Sequence, residues 1–301
     1  KLAPAVAFGN GVVWKPAVEA PNTAILVLET LLSAGLPAGL VNLVFGDART
    51  ARAVIDDPAT AAISLTGSIA AGQQAGARCL ILNKPFQAEL GGNNAAIVLS
   101  DCDIEREAPG MATAAFSFAG QRCTSIQRFI VERPLIPEFE RAILRATQAL
   151  RIGNPLDAAT QIGPMISHAH RARVAAAIKQ AVADGARVLC GAPSIERENT
   201  CHLAPVVLTD VPRDCPISQT EIFGPVALIL RAENLDEAIA IANGVEHGLV
   251  AALYTNNPIA LDRFVEYIQA GMVKLTPGPL QVHPAAPLGG WKSSRIGLPE
   301  H

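Results

Sequence analysis

Cys123 stands in the stretch FAGQRCT, between the polar run Gly120-Gln121-Arg122 and the hydroxyl of Thr124. Nearby positive charge and exposed backbone N–H groups lower a thiol pKa, and the thiolate is the form that attacks carbon. The same residue can equally be a small buried hydrophobe, the usual state of a free cysteine. Arg122 beside it can draw in a substrate carboxylate or bond carbonyls of its own turn. Glu89 lies in FQAELGGNN, an apolar or neutral stretch followed by the flexible pair Gly91-Gly92. A carboxyl group in such surroundings suits a general base near neutrality; the alternative is a carboxylate pointing to water.

A second set of residues has the chemistry of nucleotide contacts. Lys15 follows GVVW directly and can reach a ribose hydroxyl or a phosphate, or remain a solvated charge. Gly67 and Ser68 follow AAISLT and open a helix, where free N–H groups and the helix dipole suit a pyrophosphate; otherwise they form an ordinary turn. In EIFGP, Glu221 offers acceptors to a sugar diol and Phe223 a flat apolar face to a ring, against a surface charge and a core aromatic. No GxGxxG occurs, so the usual dinucleotide fingerprint is absent.

The elements that must hold these groups alternate. GVVW, VNLVF, AAISL and LILN read as strands, separated by a helix capped at Asn22, a helix opened by Asp47 and a helix running toward Cys79. Strands alternating with short helices imply βαβ units and a parallel, doubly wound α/β sheet, which binds ligands at the carboxyl ends of its strands. An Ala-rich helix from Ala108 to Ala119, capped by Asp101 and Asp103, leads to Cys123, and SIQRFIVE then enters a core as a strand. Beyond it, helices at 138–150, 171–183, 235–242 and 258–269 alternate with the strands APVVL, VALIL and LVAALYT, and the tail PLQVHPAAPLGGWKSS is loop-like. His168 and His170 do not share a helix face, which argues against a metal pair. The Gly pair after Glu89 marks the expected division into residues 1–90 and 91–301.

Composition narrows the function classes. A chain of 301 residues with 50% hydrophobic and 17% charged residues can bury a sizeable core, and a net charge of -3 leaves no basic footprint for nucleic acid. No apolar run has the length of a membrane span. The six cysteines are scattered without a CxxC pair, which points away from zinc and disulfides and toward a reducing cytoplasmic setting. The opening KLAPAVAFGN reads as the end of a helix, so the chain reads as a piece of a longer protein.

The segments GNGVVWKP, AGLPAGLVNLVFGD, SLTGS, ELGGNN, GQRCT, EIFGP and PLGG, in this order, resemble the aldehyde dehydrogenase superfamily over nearly the whole chain. The resemblance implies an incomplete Rossmann-like cofactor domain over 1–90 and an α/β catalytic domain over 91–301. It implies Cys123 as the catalytic thiol and Glu89 as the base that activates it or the hydrolytic water. Lys15 then contacts the adenosine ribose, Gly67 and Ser68 the pyrophosphate, and Glu221 and Phe223 the nicotinamide ribose and ring. The implied reaction is NAD- or NADP-dependent oxidation of a small-molecule aldehyde to a carboxylic acid through a thiohemiacetal and a thioester. A homodimer or homotetramer is implied for the full-length protein, with the preceding segment and a further tail lying outside this chain.

Three departures from the family pattern carry information. Val18 stands where NAD-using members commonly carry Glu, with Glu19 next to it, so NADP remains open. GGNN replaces the commoner GG-Lys-Ser, and Leu288 takes the place of a Phe near the substrate mouth. GGNN with GQRCT is most similar to dehydrogenases of acidic semialdehydes, such as succinylglutamate or 2-oxoglutarate semialdehyde, and this makes Arg122, Thr124 and Leu288 candidate substrate contacts. The rival readings are a CoA-acylating relative, a cysteine hydrolase lacking a recognisable histidine partner, and a non-catalytic chain that binds only a nucleotide or a partner.

Overall fold

The structure, a computed structural model, describes residues 1–191, 200–275 and 286–299. It divides into two compact units: Lys1–Glu89 with the segment that begins at Ile296, and Leu90–Arg295. The sequence gives no signal that the chain returns to the first unit near its end.

In the first unit, α1 (Leu2–Ala7) precedes β1 (Val12–Trp14), α2 (Pro21–Ser33), β2 (Val41–Leu43), α3 (Ala48–Asp56), β3 (Ile63–Thr66), α4 (Ile69–Ile81) and β4 (Phe86–Glu89). β1 pairs with β2 and β3 with β4, both in parallel. Helix starts follow from local chemistry. Asp47 caps α3 by accepting from the Arg49 N–H at 2.8 Å, as expected. Helix α2 does not start at an Asn22 cap: Ala20 is the N-cap and Pro21, whose missing N–H costs nothing at the first position, begins the helix. LILN is not a strand either. Helix α4 continues through Ile81 with Cys79 turned inward and Leu80 and Ile81 exposed, and it stops where Asn83 takes a φ of 53°. The strand begins instead at Phe86.

The second unit runs β5 (Asn94–Val98), α5 (Ile104–Phe116), β6 (Ile126–Glu132), α6 (Ile136–Gln148), α7 (His168–Ala183), β7 (Arg187–Cys190), β8 (Val206–Thr209), α8 (Pro216–Gln219), β9 (Val226–Ala232), α9 (Leu235–Asn243), β10 (His247–Gly248), β11 (Val250–Tyr254), α10 (Pro258–Tyr267), β12 (Met272–Lys274) and β13 (Trp291–Lys292). Its sheet has the order β12-β11-β5-β6-β9-β8-β7, parallel except for the β7–β8 edge pair. Central strands buried on both faces explain the apolar runs: all of β5, β8 and β11 is buried. Asp103 caps α5, but Asp101 does not; it binds Thr255 and Asn256 ahead of α10. β13 pairs with β10, so the tail is not all loop, and its residues 276–285 lie outside the described part. Among the described residues no helix is long and apolar enough to cross a membrane.

Candidate active site

The turn that carries Cys123 is built from strained backbone. α5 ends at Phe116, short of the expected Ala119, and Phe118, Ala119 and Gly120 follow with φ of 56°, 54° and 67°. Two non-glycine residues in this left-handed region cost energy that the surrounding packing must hold. Gly120 has no alternative, since a Cβ there would sit 2.0 Å from the Gly224 carbonyl oxygen. Cys123 and Thr124 then form the centre of a turn closed by the Ser125 N–H donating to the Arg122 carbonyl at 3.0 Å. Cys123 is half-buried.

Two side-chain amides hold this turn, and a third, just beyond it in β6, holds a segment next to it. Asn94, fully buried at the start of β5, donates through Nδ2 to the carbonyls of Cys123 (2.7 Å) and Ser125 (2.8 Å) and accepts from the Val250 N–H at 2.9 Å. Gln121 donates to the Phe118 and Pro164 carbonyls and accepts from the Ile166 N–H at 2.8 Å. Gln127 bonds the segment that leads into EIFGP, through Ile217, Thr220 and Ile222. Sequence reasoning missed Asn94 and Gln127; the available signal was an amide side chain set inside an apolar strand run.

Arg122 stays within its turn. Its Nη2 donates to Ser117 Oγ at 2.6 Å and its guanidinium lies 5.3 Å from the centre of the Phe118 ring. Burial lowers its pKa, and the neighbouring Cys123 opposes that fall. Thr124 and Leu288 are half-buried.

Glu221 and Phe223 belong to the same unit as Cys123. Glu221 Oε1 accepts from the Gly92 N–H at 3.1 Å, and burial pushes its carboxyl above the usual range, with that bond and Arg173 acting in opposition. Gly92 must be glycine, since a Cβ would lie 2.7 Å from the Cys123 carbonyl, and at Gly91 a Cβ would lie 2.2 Å from Glu221 Oε2 and displace that carboxylate. Phe223 has a φ of 55°, and its carbonyl accepts from His170 Nε2 at 2.6 Å. Because that bond puts the proton on Nε2, the His170 Nδ1 is free to accept from Arg173 at 2.8 Å.

The remaining candidates lie in the first unit. Gly67 and Ser68 follow β3 and Glu89 ends β4, side by side: the Gly67 N–H donates to the Glu89 carbonyl at 3.3 Å. Glu89 is 6% exposed. Ser68 caps the 13-residue α4, its Oγ accepting from the Ala71 N–H at 3.3 Å. Lys15 Nζ donates to the Pro16 carbonyl at 2.7 Å and the Gly46 carbonyl at 3.2 Å, at the ends of β1 and β2. Val18 and Glu19 are exposed. Among the described residues no group of three His, Cys, Asp or Glu side chains could hold a metal ion.

Comparison with known proteins agrees over the whole length. The betaine aldehyde dehydrogenase of Sinorhizobium fredii is 36% identical over 302 residues, covering 99% of this chain and 61% of that protein. The alpha-ketoglutaric semialdehyde dehydrogenase of Bacillus subtilis is 34% identical over 298 residues, covering 98% and 61%. Among solved structures, the Mycobacterium tuberculosis aldehyde dehydrogenase complexed with NAD+ superposes with a TM-score of 0.93 at 36% identity, covering 99% of this chain and 62% of that one. An Escherichia coli NADP dependent enzyme gives 0.94 at 33% identity, with 99% and 62% covered. The chain thus spans about three fifths of the length of the curated relatives it matches. The model of the Aldehyde dehydrogenase family matches residues 1–301, and the chain belongs to that family.

Proposed function

We propose that the whole protein oxidises an aldehyde, a semialdehyde of an acidic metabolite, to its carboxylic acid with NAD or NADP as oxidant and water as the source of the second oxygen. The observation that carries this reading is the interlock in the second unit. Asn94 fixes the Cys123 carbonyl, while Gly92, packed on that same carbonyl, donates its N–H to Glu221.

The Cys123 thiolate adds to the aldehyde carbon, forming the C–S bond and an alkoxide that the Cys123 backbone N–H stabilises. A nicotinamide bound here would supply the two-electron acceptor for the hydride that this carbon loses as its carbonyl re-forms. Glu89 then takes a proton from water, which attacks the thioester and expels the thiolate, so that acid, thiolate and protons balance.

The residues fit a dinucleotide. Glu221 is desolvated with a single backbone N–H as its donor, and the two hydroxyls of a ribose diol supply what its oxygens lack. Lys15 and the turn Gly67-Ser68 would hold the adenosine ribose and the pyrophosphate, and Phe223 the nicotinamide ring. The exposed Val18 presents no carboxylate to a 2′-phosphate. The positive charge of Arg122 favours an anionic over a cationic aldehyde, with Thr124 and Leu288 as further substrate contacts.

Kinetics of the full-length protein test the reading. Cys123→Ala should lower kcat more than about a thousandfold while cofactor still binds. Glu89→Gln should release close to one equivalent of reduced cofactor per site in a burst and then turn over slowly. Near-native turnover in Cys123→Ala would end the assignment, and a lost burst in Glu89→Gln would move Glu89 ahead of hydride transfer.

A further inference from the structure

The strand that follows Cys123 contains one residue too many. Asn94 pairs with Ile126 and Ala95 with Arg128, so Gln127 is the extra residue of a bulge in β6. A bulge breaks the alternation of side chains and re-aims the extra one. Gln127 is 6% exposed, and all three of its hydrogen bonds go to residues 217–222. Nε2 donates to the Ile217 and Thr220 carbonyls, both at 2.9 Å, and Oε1 accepts from the Ile222 N–H at 2.9 Å. The bonds to Thr220 and Ile222 grip the backbone on either side of Glu221.

The chemistry at that point calls for an amide. Two carbonyls need donors and one N–H needs an acceptor, so the orientation of the Gln127 side chain is fixed by its partners. A carboxylate would set a negative oxygen against two carbonyls, and a hydrocarbon would leave the buried Ile217 carbonyl and Ile222 N–H without this partner and the part-buried bond to Thr220 unmade. Glu221 in turn reaches Gly92, which packs on the Cys123 carbonyl, and Asn94 ties that carbonyl to β5. Starting at Cys123 and following β6 to Gln127, then Glu221, Gly92 and back, the path closes on itself.

We propose that Gln127 is a positioning residue for Glu221, setting the carboxylate for the dinucleotide from the strand that follows Cys123. This rests on the reading that Glu221 binds the cofactor ribose.

The test measures the NAD dissociation constant of the full-length protein, without aldehyde, for wild type, Gln127→Leu, Gln127→Glu and Glu221→Gln between pH 5.5 and 9. Gln127→Leu should weaken binding about tenfold at every pH. Gln127→Glu has one proton to donate, and only while protonated, so its affinity should stand nearest to wild type at the acid end and fall as pH rises. Expressing each value relative to wild type at the same pH removes the titration of Glu221 itself, which Arg173 also faces. Iodoacetamide labelling of Cys123 in the cofactor-free variants should stay within about twofold of wild type, marking a positioned cofactor site rather than a collapsed core. Should Gln127→Leu fail to fold, the reversible pH dependence within Gln127→Glu carries the test alone. A pH-independent Gln127→Glu, or a wild-type Gln127→Leu alongside a weakened Glu221→Gln, overturns the proposal. Wild-type affinity in Glu221→Gln overturns instead the reading of Glu221 on which it rests.

Discussion

At Glu221 a carboxyl group is half-buried and given one N–H donor from Gly92 at 3.1 Å. Burial is the larger effect and raises its pKa above the usual 4.5. In the unfolded chain this group ionises near 4.5, while the folded protein keeps its proton to higher pH. The folded state therefore binds more protons in that window, and stability falls as pH rises from the unfolded pKa through the folded one. Glu221→Gln keeps the Gly92 bond and removes the charge. Without cofactor it should show a higher urea midpoint than wild type at pH 8, with the gap closing below about pH 4.5, even as it weakens dinucleotide binding. A Gln variant less stable than wild type at pH 8 would mean that the carboxylate is compensated by neighbours and costs the fold nothing. Glu221 stood out as a candidate in the sequence because EIFGP resembles a segment of the family. Asn94 and Gln127 were not, because a lone amide has no period and its partners are backbone groups far along the chain.

Elements are joined by a second buried group on the same strand. Arg128 is 2% exposed and has no carboxylate partner among its hydrogen bonds: it donates to the carbonyls of Asn93, Ile241 and Ala242. The last two lie in the final turn of α9, where the unpaired carbonyls and the helix dipole favour a cation. Burial lowers its pKa to about 10, so it stays charged at neutrality. Arg128→Met leaves those carbonyls buried without donors and should cost about 3 kcal/mol or more in urea unfolding. Arg128→Lys, a point donor without the planar fork, should fall between the two. A Met variant within about 1 kcal/mol of wild type would show that those carbonyls find other donors once the guanidinium is gone. At this scale the sequence served well where propensity and context agree, as at the Asp47 cap and along SIQRFIVE. It misled where function or tertiary packing overrides local preference. Nothing in the letters Phe118-Ala119-Gly120 announces three left-handed residues, and LILN has the apolar run of a strand but the inward face of a helix end.

Over the whole molecule the α/β class was legible from alternation alone, since parallel pairing needs crossover helices. The strand order and the return of the chain to the first unit were not, because they depend on contacts between distant segments. The two units differ sharply in what holds them. The second has one continuous core through β5, β6, β8, β9 and β11 and the helices α5, α6 and α7. The buried apolar cluster described in the first consists of Ile55, Ala75 and Cys79, with Ile63, Leu65, Leu82 and Phe86 packed on it. Phe8 at 87%, Leu26 at 63% and Phe45 at 50% exposure add little to it. Since the free energy of local opening follows the apolar area that opening exposes, the first unit should open at lower cost. Hydrogen exchange followed by mass spectrometry on the 301-residue chain should therefore show amides of β3 and β4 exchanging well before those of β5, β6 and β9. The parallel pair β3–β4 carries Gly67, Ser68 and Glu89 at its carboxyl end, so the expected pattern would place the proposed phosphate turn and the proposed base on the more readily opened part of the chain. Equal protection of peptides from the two units would contradict this ordering and would mean that they unfold as a single cooperative body.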